Sequence, residues 1–212
     1  MIRFADRREA GQRLAAKLVA YKDRADVIVL GIPRGGVVVA AEIARALAAP
    51  LDIFITRKIG APFNKELAIG AVASDGTVFV DRALIHELRL SEQQVAQASA
   101  AQIREIRRRV ALYRRDRPPL DLQNKVVILT DDGVATGATT LAALRALKKQ
   151  NPQRVVLAVP VAPRPVVPHL REECDELVLL DAPEPFFAVG YFYEDFGQVT
   201  DDEVIELLHA AA

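Results

Sequence analysis

LTDDGVATGATT, residues 129–140, sets two acids ahead of two glycines and three threonines, directly after the apolar run VVI at 126–128. Residues 125–130 read as a buried strand. In open parallel sheets ligands sit beyond the carboxyl ends of the strands, which is where this strand delivers Asp131 and Asp132. Ala135, Thr136, Gly137, Ala138, Thr139 and Thr140 then offer a tight turn, small side chains, hydroxyl donors and the free N–H groups of a helix start. Such a cradle suits a phosphate dianion. Carboxylates beside an anion make sense where they hold neutral hydroxyls, or a metal ion directly or through its waters. A ribose phosphate meets both demands.

The same strand, loop and helix order recurs on either side. Upstream, VIVL at 27–30 reads as a strand, GIPRGG at 31–36 as a loop, 37–49 as a helix and LDIFIT at 51–56 as a second strand. Downstream come a helix over 138–150, the strand RVVLAVPV at 154–161, a helix near 165–173, the strand ELVLL at 176–180 and a short helix from about 201. Asp6 is placed to cap a first helix, with Ala10, Leu14 and Leu18 on one face. Strands alternating with helices predict an α/β fold, an open, mostly parallel twisted sheet flanked by helices, in a single domain over residues 1–212.

Four segments interrupt the alternation. RKIGAPFNKELAIG at 57–70, punctuated by glycine and proline, predicts a long mobile loop. Asp75-Gly76 between AVAS and TVFV predicts a hairpin. Apolar residues at 95, 103, 106, 110 and 113 predict an inserted amphipathic helix over about 91–117, opened by Ser91 and ending before Pro118-Pro119. DAPEPFFAVGYFYEDFGQ at 181–198 holds half of the aromatics and reads as a small irregular hood.

Composition narrows the function classes. Of 212 residues 51% are hydrophobic, enough for one good core, while 28 Lys and Arg balance 28 Asp and Glu. No global pull toward nucleic acid or a membrane surface is expected, so a charged ligand needs a local cluster. The lone Cys174 excludes an internal disulfide, and the chain's start lacks an apolar signal-peptide core, so the cytoplasm is the expected location. His86, His169 and His209 lack metal-ligand spacing.

With these residues in place, LTDDGVATGATT resembles the signature of type I phosphoribosyltransferases, which hold phosphoribosyl pyrophosphate, PRPP. The resemblance implies that Asp131 and Asp132 face the ribose hydroxyls and that Ala135 to Thr140 wrap the 5′-phosphate. No Gly-Lys-Ser/Thr follows Gly137, so this is not a nucleoside-triphosphate P-loop. GIPRGG resembles the family's pyrophosphate loop, with Arg34 meeting the leaving group and Gly35 and Gly36 letting the backbone approach a polyanion. Arg57 and Lys58 resemble the basic pair before the family's flexible loop, which makes 59–70 a candidate lid.

The resemblance further implies a transfer of phosphoribose from Mg-PRPP to a nitrogenous acceptor such as a nucleobase, with release of pyrophosphate, Mg²⁺ as cofactor and a homodimer as the assembly. Asp131, Asp132 and Arg34 would be the catalytic residues. Oxopurine members carry an acid where this chain has Ala135, whereas adenine-using members show Ala-Thr-Gly. Phe187 and Tyr191 are candidates to stack on the acceptor, against the alternative that the aromatics of 181–198 plug the core. REIRRRVALYRRDR at 104–117 reads as a solvated or oligomer-facing surface, since it carries no base-reading motif. The rival functional class is a non-catalytic sensor of PRPP or a nucleotide.

Overall fold

The computed structural model describes residues 2–74, 76–115, 117 and 120–210. Its strands are β1 (Val27–Gly31), β2 (Leu51–Ile53), β3 (Thr56–Ala61), β4 (Asn64–Ala73), β5 (Val78–Val80), β6 (Val126–Thr130), β7 (Arg154–Val161) and β8 (Glu176–Asp181). Its helices are α1 (Arg7–Lys17), α2 (Gly35–Leu47), α3 (Arg82–Glu87), α4 (Glu92–Arg114), α5 (Ala138–Lys148), α6 (Val167–Glu172) and α7 (Asp201–Ala210).

All five residues of β6 are buried, and they alternate between two cores: Val126 and Ile128 face one, Val127 and Leu129 the other. A strand covered on both sides needs an unbroken apolar run. Around it stands a parallel sheet ordered β2-β1-β6-β7-β8, with α1 and α2 packed on one face and α5 and α6 on the other. From β1 the chain winds outward to β2, then returns to β1's other side as β6. The crevice between the carboxyl ends of β1 and β6 is therefore the topological switch point.

Residues 57–70, expected as a loop, belong instead to a second, antiparallel sheet ordered β3-β4-β5. Pro62 and Phe63 form only the turn between β3 and β4. Gly60 sits at a register shift within the pairing, and Ile59 and Ile69 are fully buried on the core side. The glycines and the proline thus mark a bulge and a turn rather than irregular chain. The strand expected at 51–56 is divided for a related reason: after Ile53 the chain leaves the parallel sheet, burying Phe54, and enters the other at Thr56. The hairpin expected at Asp75-Gly76 is present as β4 and β5, with Gly76 at φ +83°; Asp75 itself, like Pro118-Pro119, lies outside the described residues.

The long helix α4 opens with a capping box between Ser91 and Gln94 and packs on β3, β4 and α7. Short α3, capped by Asp81, had no separate signal in the sequence. Among the described residues no helix is long and apolar enough to cross a membrane.

Candidate active site

Asp131 and Asp132 emerge from β6 at the switch point and press on the start of α2. The register pairs Gly31 with Thr130, and Ile32 continues it by donating its N–H to the Thr130 carbonyl at 3.0 Å. This brings Gly35 and Gly36 so close to the acids that a Cβ on Gly35 would stand 1.9 Å from Asp132 Oδ2, and one on Gly36 2.8 Å from the Asp131 Cα. Both glycines are thus needed for the packing of the loop on the acid turn, whatever else approaches their backbone.

Asp131 Oδ1 accepts the Asp132 N–H at 2.9 Å. Burial pushes the Asp131 carboxyl well above the ordinary carboxylate range, and the charge of Asp132 adds to the shift. Burial raises Asp132 too, against the opposing hydrogen bond and charge of Arg7. Arg7 Nε donates to Asp132 Oδ2 at 2.7 Å. A carboxyl poised this way accepts from a sugar hydroxyl when ionised and donates to one when protonated.

The turn that follows leads into α5, with Gly137 in the left-handed region at φ +81°. Ala135, Thr136, Ala138 and Thr139 are exposed there, and Thr136 Oγ1 accepts the Ala138 N–H at 3.4 Å. Thr140 is only 2% exposed and belongs to the packed side of the helix, so of the three hydroxyls Thr136 and Thr139 are the ones open to a ligand. Beside this turn lies a cavity of about 330 Å³ whose lining includes Pro33, Arg57, Lys58, Ala138 and Thr139.

A family model for the phosphoribosyl transferase domain matches residues 6–193. The chain belongs to that family. Proteins from two strains of Mycobacterium tuberculosis, CDC 1551 and H37Rv, each provisionally named a phosphoribosyl transferase, are 41% identical over 208 residues, covering 98% of this chain and 47% of theirs. The chain thus spans about half the length of the curated relatives it matches. The crystal structure of TT1426 from Thermus thermophilus superposes with a TM-score of 0.90 at 43% identity, covering 100% of each chain.

Within this phosphoribosyl transferase fold, the residues expected at the site divide. Arg57 and Lys58, on β3, share a cavity with the turn before α5. Arg34, which precedes α2, is not in that lining, and its Nη1 lies 3.8 Å from Asp201 Oδ1 at the start of α7. The aromatics of 181–198 divide into a buried and an exposed group. Phe192 and Tyr193 are buried with Phe4, whereas Phe187 and Tyr191 are 73% and 69% exposed with ring centres 5.8 Å apart.

Sequence reasoning missed what holds Asp132. The Arg7 guanidinium lies 3.9 Å from the Phe196 ring centre, and its Nη1 donates to the Gly197 carbonyl at 2.8 Å. Tyr193 donates its hydroxyl to the Asp132 carbonyl at 2.6 Å. Residues 192–195 in turn hydrogen-bond the backbone of Phe4 and Ala5. No periodicity signals a pair 125 positions apart.

The donor set can be matched to Mg²⁺. Among the described residues no cluster of three or more His, Cys, Asp or Glu could hold a metal by itself. Magnesium is commonly bound by one or two carboxylates together with substrate phosphates and waters, and Asp131 with Asp132 fits that smaller demand. A cavity of about 800 Å³ lies elsewhere, around the N-terminal ends of β1 and β2, with Asp52 and Arg114 in its lining.

Proposed function

We propose that the protein transfers the phosphoribosyl group of Mg-PRPP to a nitrogenous acceptor of the nucleobase class and releases pyrophosphate. The observation that carries this reading is the packing of the Asp131–Asp132 turn on Gly35 and Gly36 at the switch point, beside an open helix start. Ala135 to Thr139 would bind the 5′-phosphate through backbone N–H groups and two hydroxyls. Asp131 and Asp132 would hold the ribose hydroxyls and, directly or through water, the Mg²⁺. That ion, when bound, offsets the charge that develops on the departing pyrophosphate. Arg57 and Lys58 would share in that stabilisation from β3.

The turn between β3 and β4 would serve as the cover over the reacting centre, with Phe63, 65% exposed, at its tip. Phe187 and Tyr191 offer the acceptor two exposed ring faces. A second reading, a non-catalytic PRPP or nucleotide sensor, is favoured by one observation: Asp132 is already bonded to Arg7.

Incubation with Mg-PRPP and pooled nucleobases and related heterocycles, followed by pyrophosphate release and product mass, tests the proposal. Acceptor-dependent release with a new ribonucleotide mass is the expected result. Binding of PRPP with no acceptor consumed would favour the sensor, and no PRPP binding at all would remove the transferase and the PRPP-sensor readings.

A further inference from the structure

The arginine-rich stretch of α4 is not only solvated surface. Gln102, Glu105 and Arg109 follow one another at helical spacing and face β3. Gln102 Oε1 accepts from Arg57 Nε at 2.8 Å. Glu105 Oε1 accepts from Arg109 Nε at 2.8 Å and lies 3.7 Å from Arg57 Nη1. Arg108 bonds the same carboxylate through Nε and Nη2, at 2.9 and 3.0 Å. Arg108 first, then Arg109, hold the Glu105 carboxyl down at about 2, so it stays charged at any working pH.

One carboxylate therefore serves three guanidinium groups, and positive charge remains in surplus. The surplus is directed. Arg109 lines the same 330 Å³ cavity as Arg57, Lys58, Pro33 and Thr139, and among the described residues no acid is in that lining. Three cations from two separate elements meet there beside the start of α5. Arg57 and Lys58 are the residues assigned above to the diphosphate, and Arg109 stands with them in one cavity.

We infer that Arg109 is a further ligand of the diphosphate group, in PRPP and in released pyrophosphate, and that Glu105 and Gln102 are positioning residues that aim Arg109 and Arg57 at it. This rests on the phosphoribosyl transfer reading above. Arg109 thereby supplies cationic contact from the α4 side of the cavity.

The test is calorimetric titration of the full chain with Mg-pyrophosphate, Mg-PRPP and ribose 5-phosphate, comparing wild type with Arg109→Ala, Arg109→Lys, Glu105→Gln and Arg104→Ala. Arg104 is exposed on the same helix and controls for loss of a charge alone. Losing one charge-assisted contact should weaken pyrophosphate and PRPP binding by about tenfold in Arg109→Ala. Arg109→Lys should restore part of it, Glu105→Gln should fall between, and ribose 5-phosphate, lacking the diphosphate, should bind unchanged. The Lys variant keeps the test decisive should the Ala variant fold poorly. Unchanged pyrophosphate affinity in Arg109→Ala, an equal loss in Arg104→Ala, or an equal loss for ribose 5-phosphate would overturn the role of Arg109 and leave the transferase reading standing. Wild type that binds neither PRPP nor pyrophosphate would overturn that reading, and this inference with it.

Discussion

Replacing Arg7 by alanine should loosen the candidate site from a position in the first helix. The substitution removes a 2.7 Å ion pair to Asp132, the hydrogen bond to the Gly197 carbonyl and the stacking on Phe196. Breaking a buried ion pair by removing one partner costs about 3–5 kcal/mol. Here the two side chains keep 11% and 16% exposure, and solvent reaching Asp132 reduces the cost to about 2–4 kcal/mol, stacking included. For a chain of this size that corresponds to a fall in Tm of about 5–15 °C.

The loss should depend on pH. Asp132 is raised by burial even with Arg7 present, so without Arg7 its folded-state value rises further. An acid whose value is raised by folding costs stability as pH climbs from the unfolded toward the folded value. The deficit should therefore be smallest at acid pH, where Asp132 is protonated with or without Arg7, and grow as pH rises through its raised folded-state value. Thermal and urea unfolding of wild type, Arg7→Ala, Asp132→Asn and the double variant form the cycle that measures the coupling. A cost below about 0.5 kcal/mol for Arg7→Ala, with no coupling to Asp132, would refute the reasoning. The same pair means that Asp132→Asn strands a guanidinium, so lost activity in that variant has to be read beside its stability.

Gly35→Ala should destabilise by about 1–3 kcal/mol or more through overpacking, because the new methyl meets Asp132 Oδ2; thermal unfolding measures it. Phe187→Ala and Tyr191→Ala, at exposed positions, should leave stability within about 0.5 kcal/mol while raising the acceptor KM, which steady-state kinetics resolve once an acceptor is known. Burial, first, and a hydrogen bond to a carboxylate push the phenols of Tyr21 and Tyr113 up to about 12. Their bonds to Glu176 and Asp201 should thus contribute stability that is intact below the unfolded-state value and lost as pH rises toward 12, followed by ultraviolet titration alongside unfolding.

The amino-acid sequence by itself determined the parallel sheet, the acid turn after β6 and the glycine turn into α5. A strand buried on both faces must be apolar throughout, as Val126–Thr130 is, and a helix start that follows it needs the small residues and glycine found at 135–138. Those are local demands, legible in a short window. Residues 57–70 mislead because glycine and proline look alike in a loop and in a bulged, tightly turned hairpin until Ile59 and Ile69 are seen to share a core. Only the tertiary structure decided that Arg34 leans on Asp201, that Arg109 joins Arg57 and Lys58 at one cavity, and that Arg7 holds Asp132. Each is a contact between side chains far apart in the chain, set by how helices dock on sheets, and a charge on a helix surface carries no mark of which partner the docking will bring to it.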